Sequence, residues 1–227
     1  PLIDGDRVIL TPGGDDALLA AINLKTGLAE WQTKAGDLGN RGNPGAGYSS
    51  VVISKAAGVK QYVQLTGRGL VGVDAKTGRL LWHYGRIANG TANIPTPICE
   101  GNMVFTSTGY GTGSAILQIV RTAGGLEAKE LKFFGGNELQ VHHGGMVLVG
   151  DYIYGGHAHN KGQPFCLAPK TGEIMWVEND REIDRLGSAA VVYADGHLYF
   201  RYEKGKMRLI EASPRGYKLK GEFDIPG

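Results

Sequence analysis

The sequence predicts an all-β chain built from repeated four-stranded units, on two observations. A short phrase recurs three times: Ile22-Asn23-Leu24-Lys25-Thr26-Gly27-Leu28-Ala29-Glu30-Trp31, then Gly72-Val73-Asp74-Ala75-Lys76-Thr77-Gly78-Arg79-Leu80-Leu81-Trp82, then Leu167-Ala168-Pro169-Lys170-Thr171-Gly172-Glu173-Ile174-Met175-Trp176. In each copy Trp follows the Thr-Gly glycine by four positions, and the three Trp residues lie 51 and 94 positions apart, the second being two periods of 47. A repeat near that length, with strands on both sides of a Gly turn, marks a propeller of four-stranded blades. The second observation is glycine, 37 of 227 residues, about twice the usual share of roughly 7%. Short strands and frequent turns require this. The predicted architecture is a β-propeller segment of about five four-stranded blades, with negligible helix.

The units follow in order. The first runs from about Pro1 to Trp31 and turns at Ile3-Asp4-Gly5-Asp6-Arg7. The second runs from about Gly47 to Tyr84, with a longer turn at 55–60. The third, from about Asn93 to Phe134, turns at Glu100-Gly101-Asn102. The fourth, from about Val141 to Val177, turns at Gly150-Asp151, and the fifth, from about Ser188 to Phe223, at Asp195-Gly196. Apolar, β-prone alternation flanks each turn, as in Met103-Val104-Phe105 and Leu198-Tyr199-Phe200. Units three and five lack the Thr-Gly…Trp phrase, and their outer halves, 126–133 and 217–223, are more polar. Residues 180–185 read equally as a helical turn or a solvated loop. No Pro- or Ser-rich linker interrupts the chain, so 1–227 reads as one domain.

The phrase has a physical reading. Asn23 or Asp74 offers a side-chain oxygen to turn amides, and Gly27, Gly78 and Gly172 accept the positive φ that reverses the chain. In the third copy Ala168 has no such oxygen, but Pro169 presets φ at the next position. The Trp then wedges its flat ring against a neighbouring blade. These words resemble the tryptophan-docking repeats of the PQQ-binding-like β-propellers, along essentially the whole chain. That family groups quinoprotein alcohol dehydrogenases with non-catalytic relatives, such as the lipoprotein propeller of the outer-membrane protein assembly machine. The resemblance implies a closed propeller of six to eight blades and a periplasmic or secreted location. The turn glycines Gly5 and Gly101 set Pro1 opposite Pro97, and counterparts of 93–96 are missing before Pro1. The chain therefore reads as a piece of a longer protein. Upstream blades, or another copy, are expected to cover the open strand edge.

Composition narrows the partners. A net charge of +2 with scattered basic residues gives no nucleic-acid footprint. No apolar run reaches membrane-span length, so no span is expected in this segment. Cys99 and Cys166 lie in different units without metal-ligand spacing and read as two buried small hydrophobes.

Four of the six histidines fall within eighteen positions: His142, His143, His157 and His159. About the Gly150-Asp151 turn an unbroken hairpin sets His142 opposite His159 and Gly144 opposite His157. Three imidazoles then share one face and His143 the other. Three readings stay open for this rim. His142, His157 and His159 suit a divalent transition metal with an open position; they suit a polar ligand pocket; or they hydrogen-bond loops. Equivalent rim positions carry Arg68, Asn89, Asn93, Tyr110 and Arg201. Together they would line a funnel for a small polar molecule, a sugar or a protein.

Other motifs are set aside. Gly67-Arg68-Gly69-Leu70-Val71-Gly72 fits GxGxxG, but a Thr-Gly turn follows it, not the helix that binding pyrophosphate requires. No Ser-His-Asp order or catalytic pair of carboxylates stands out, so no catalytic residue is assigned. The quinoprotein enzymes use adjacent cysteines over the quinone and Glu, Asn and Asp ligands for calcium, and this chain matches neither, so quinone with calcium is not expected. The functional expectation is a non-catalytic binding scaffold of an exported bacterial protein. The alternatives are a quinoprotein-type oxidoreductase, or a metal-dependent enzyme using the histidine-rich rim.

Overall fold

The computed structural model describes residues 1–226. They form five four-stranded antiparallel sheets, each made of four consecutive strands in chain order. The first holds β1 (Leu2–Asp4), β2 (Arg7–Leu10), β3 (Ala20–Asn23) and β4 (Ala29–Gln32). The second holds β5 (Val52–Ser54), β6 (Gln61–Thr66), β7 (Gly69–Asp74) and β8 (Leu80–Tyr84). The third holds β9 (Ile98–Glu100), β10 (Met103–Thr108), β11 (Gly113–Thr122) and β12 (Gly125–Gly135). The fourth holds β13 (Val141–Val149), β14 (Tyr152–His157), β15 (Gln163–Ala168) and β16 (Glu173–Val177). The fifth holds β17 (Ala189–Ala194), β18 (His197–Tyr202), β19 (Lys206–Glu211) and β20 (Leu219–Asp224). These are propeller blades. Helical geometry among the described residues is confined to four single 3₁₀ turns. One of them, Ile183–Arg185, falls in the stretch that read as helix or loop, and it buries Ile183.

The repeated phrase builds the same corner each time. Oδ1 of Asn23 accepts from the N–H groups of Lys25 and Thr26 at 3.0 and 3.1 Å. Oδ1 of Asp74 accepts from those of Lys76 and Thr77 at 2.9 and 2.8 Å. The glycine N–H then donates to the carbonyl four residues back, from Gly27 to Asn23, Gly78 to Asp74 and Gly172 to Ala168. All three glycines hold φ between 70° and 73°, where a Cβ would strain.

A bulge follows each corner. Trp31, Trp82 and Trp176 pair with Ala21, Gly72 and Cys166, yet the next pairs are Ala29–Ile22, Leu80–Val73 and Ile174–Leu167. One residue is therefore extra just before each Trp, which twists the strand and re-aims the ring. The fifth sheet keeps this bulge, with Gly221 standing where the others carry Trp. The ring of Trp31 lies on Gly78, where a Cβ would come within 2.5 Å of it. Trp176 donates Nε1–H to the Ser213 carbonyl at 2.9 Å, and its ring lies near Tyr154 and Tyr217. Both rings thus reach the corner between third and fourth strands of the following sheet. Trp82 covers Gly72 in its own sheet and donates to Oε1 of Gln61 at 2.5 Å.

The chain divides into two compact units, Pro1–Thr106 with Ala115–Phe133, and Ser107–Ser114 with the residues from Phe134 onward. In the first, one core sets Ile9 and Ala21 against Tyr62, Val71 and Val73, and another sets Val63, Leu65 and Leu70 against Val104, Ala115 and Leu117. In the second, Tyr154 and Cys166 pack with Val191, Leu198, Phe200 and Tyr202. Each core is thus made by two consecutive sheets. Cys99 and Cys166 are free thiols, half-buried and buried. Burial pushes them up to about 12 and about 11, so both stay protonated and act as small apolar groups.

Gly27→Ala and Gly78→Ala separate backbone strain from packing. Open space surrounds Gly27, so only left-handed strain is added, about 1–2 kcal/mol. At Gly78 the Trp31 ring must also move, for a total of about 2–4 kcal/mol. Urea unfolding midpoints are expected to fall for both variants, and further for Gly78→Ala.

Candidate functional site

β13 and β14 pair as a regular hairpin from Val149–Tyr152 to Met146–Gly155. The next pair is Val141–His157, so His142, His143, Gly144 and Gly145 face Gly156 alone. Glycine permits this wide bulge. Gly145 holds φ +75°, and a Cβ on Gly144 would sit 1.5 Å from the carbonyl oxygen of Ala189 in β17.

The bulge corrects the side-chain geometry expected of an unbroken hairpin. His157 faces Val141, not Gly144, and His159 lies beyond the strand in the turn His159–Lys161. His143, expected on the opposite face, has its ring centroid 4.1 Å from that of His142. His159 approaches the same ring to 3.9 Å. Three imidazoles do gather, but they are His142, His143 and His159. His157 instead accepts the Gln140 N–H on Nδ1 at 3.1 Å. Among the described residues, no three His, Cys, Asp or Glu side chains are disposed to hold a metal ion.

Tyr110 follows β10 and completes the cluster. Its hydroxyl lies 3.1 Å from Nε2 of His142, and its N–H donates to Nδ1 of His159 at 3.3 Å. The residue before it must be glycine. A Cβ on Gly109 would meet Nδ1 of His159 at 2.9 Å and Cδ2 of His142 at 3.2 Å. Tyr110, Ala158 and His159 all hold left-handed φ, 57°, 65° and 50°. Strain at non-glycine residues persists only where the surroundings over-determine it, and here three such residues adjoin one ring cluster.

One proton arrangement serves both Ser188 and Tyr110 at the His142 ring. Its Nδ1–H donates to Oγ of Ser188 at 2.9 Å, and the Ser188 hydroxyl donates to the His159 carbonyl at 3.3 Å. Nε2 then accepts the Tyr110 O–H. Glu203 lies at the outer side: Oε1 is 3.0 Å from Nε2 of His143, and Oε2 accepts the Ser188 N–H at 3.1 Å. Burial, followed by the neighbouring His143 and His159, holds the His142 imidazole down at about 4. Burial also lowers His157 below its ordinary value. The cluster ties the Tyr110 loop to the β13 bulge, the 158–162 turn and the Ser188 segment.

The remaining rim residues behave differently. Arg68 donates to the Gly39 carbonyl at 2.7 Å. Oδ1 of Asn89 accepts from the N–H groups of Thr91 and Ala92, each at 2.8 Å, and the Asn93 amide donates to the Gly67 carbonyl at 3.0 Å. These three belong to the first unit and organise its loops. Arg201 sits exposed in β18 opposite Ala190 and Met207. Glu203 and Gln140 escaped the sequence reading. The one signal for Glu203 was its place just after a second strand, equivalent to that of Tyr110.

A family model described as outer membrane protein assembly factor BamB matches residues 1–178. No curated protein matches the chain. Among solved structures, BamB from Moraxella catarrhalis is similar at 15% identity, over 98% of this chain and 74% of that one, with a TM-score of 0.50. The quinohemoprotein alcohol dehydrogenase from Comamonas testosteroni is similar at 14% identity, over 92% of this chain and 40% of that one, with a TM-score of 0.63. At these identities the likeness is one of fold.

The lowered His142 value gives stability a direction in pH. The fold favours the neutral ring, so its contribution is fully present above the ordinary value of 6.5 and is lost as pH falls from there toward 4. The urea midpoint is expected to drop between pH 7.5 and pH 5. His142→Gln should start lower at pH 7.5 and drop by less, which paired titrations of parent and variant would reveal.

Proposed function

The chain belongs to the family of the outer membrane protein assembly factor BamB, and on that footing we propose that it is a non-catalytic scaffold. It would act in an exported, envelope-associated protein by binding other polypeptides during outer-membrane protein assembly. The observation that carries this reading is the family match, which spans the first four of the five sheets. The polar side chains support it. Arg68, Asn89 and Asn93 brace loops, and both ring nitrogens of His142 are engaged by protein groups. A quinone reading gains nothing from the cysteines, since Cys99 and Cys166 are single thiols in separate cores. Among the described residues no helix is long and apolar enough to cross a membrane.

Deleting the gene in its own organism and measuring outer-membrane β-barrel proteins tests the proposal. Their abundance should fall and recover on complementation. The purified full-length protein, given pyrroloquinoline quinone, calcium and a panel of alcohols and sugars, should reduce no dye. Unchanged barrel levels, or quinone-dependent dye reduction, would overturn the scaffold reading.

A further inference from the structure

The connection from β4 to β5, residues 33–51, is longer than the roughly 12–15 residues at which structureless loops become uncommon and usually functional. It displays Tyr48, a residue 72% exposed, on a hydrogen-bonded backbone. Its N–H donates to the Asn93 carbonyl at 2.9 Å. The preceding Gly47 holds φ +69°, and a Cβ there would lie 2.8 Å from the Leu65 carbonyl oxygen. The following Ser49 exchanges hydrogen bonds with Leu65, donating to its carbonyl at 3.0 Å and accepting its N–H at 3.1 Å. A large aromatic ring thus stands out in water on a backbone hydrogen-bonded at Tyr48 itself and at Ser49.

Two cavities flank this ring and share Ala46, Gly47 and Tyr48 as a common wall. One, about 330 Å³, is closed by the Asn43, Asn89 and Asn93 side of the loops, and the other, about 440 Å³, by Leu10, Thr11, Pro12, Ser49 and Gln64 with Pro1 at its edge. Both volumes fall within the usual ligand range of roughly 300–1,000 Å³. Among the described residues no charged side chain lines either, although 20% of the sequence is charged. Amides and hydroxyls set among uncharged side chains favour a neutral polar ligand, because an ionic one would find no side-chain charge to compensate its own. The electron-rich face of an aromatic ring attracts positively polarised edges, and the C–H face of a pyranose is such an edge. We propose that Tyr48 and its two flanking cavities form a binding site for a neutral oligosaccharide, with successive sugar units on either side of the ring. This site is separate from the scaffold function and does not depend on it.

Calorimetric titration of the protein with maltotetraose, cellotetraose and tetra-N-acetylchitotetraose tests this. At least one should bind with Kd tighter than about 1 mM, and high salt should leave the affinity unchanged because no ion pair forms. Tyr48→Ala should weaken binding at least about tenfold, while Tyr48→Phe retains it because the ring face is kept. Thr91→Glu, which brings a carboxylate to the smaller cavity, should weaken it independently of the ring. The proposal is overturned if none of the three binds, if Tyr48→Ala binds like the parent, or if salt abolishes the interaction.

Discussion

A four-stranded sheet with apolar side chains on both faces cannot stand in water alone, and the rest of this structure depends on how that demand is met. Each core joins two consecutive sheets, as Ile9 and Ala21 with Tyr62 and Val73, or Tyr154 with Phe200 and Tyr202. The Trp rings reinforce this at the corners. Trp31 rests on a glycine of the next sheet, and Trp176 donates to a carbonyl there. The bulge before each Trp is what turns the ring toward its seat, so a backbone irregularity and a packing contact form one device. Its persistence around Gly221 in the fifth sheet shows that the bulge does not need the ring.

The histidine cluster applies the same means to a different end. Four residues of β13 leave the ladder, and Gly144 and Gly145 let the backbone lie against β17. Released from β14, His142 and His143 meet His159, Tyr110, Ser188 and Glu203. A buried imidazole whose two nitrogens are both satisfied favours its neutral form, since protonation would put a charge where burial opposes it. The cluster binds four chain segments through hydrogen bonds and ring contacts, at the cost of left-handed strain at three residues.

Elsewhere the loops follow a common rule. Long glycine-rich connections leave many backbone groups to satisfy, and short polar side chains do so: Asn23 and Asp74 at the corners, Asn89 and Asn93 in the connection from β8 to β9. The residues that look most like chemistry in the sequence are therefore often those holding loops in place. What they leave uncovered is a rigid surface, on which an exposed ring such as Tyr48 is displayed rather than buried.

The sequence by itself determined the blades. Period, turn glycines and Trp spacing are local signals, and strand alternation fixes which face each residue takes, so all five sheets and their order were legible from them. It also marked His142, His143, His159 and Tyr110 as residues of one region. Their arrangement was not legible, because a hairpin register is readable only while the ladder is unbroken. The break at His142 brings Gly144 against Ala189, a residue of the next sheet that no local pattern reveals. Tertiary structure decided that His157 leaves the cluster and Glu203 enters it. The physical reason is that a period-two pattern places side chains on faces, whereas a bulge moves them between faces, and only the neighbouring sheet says where the bulge can lie.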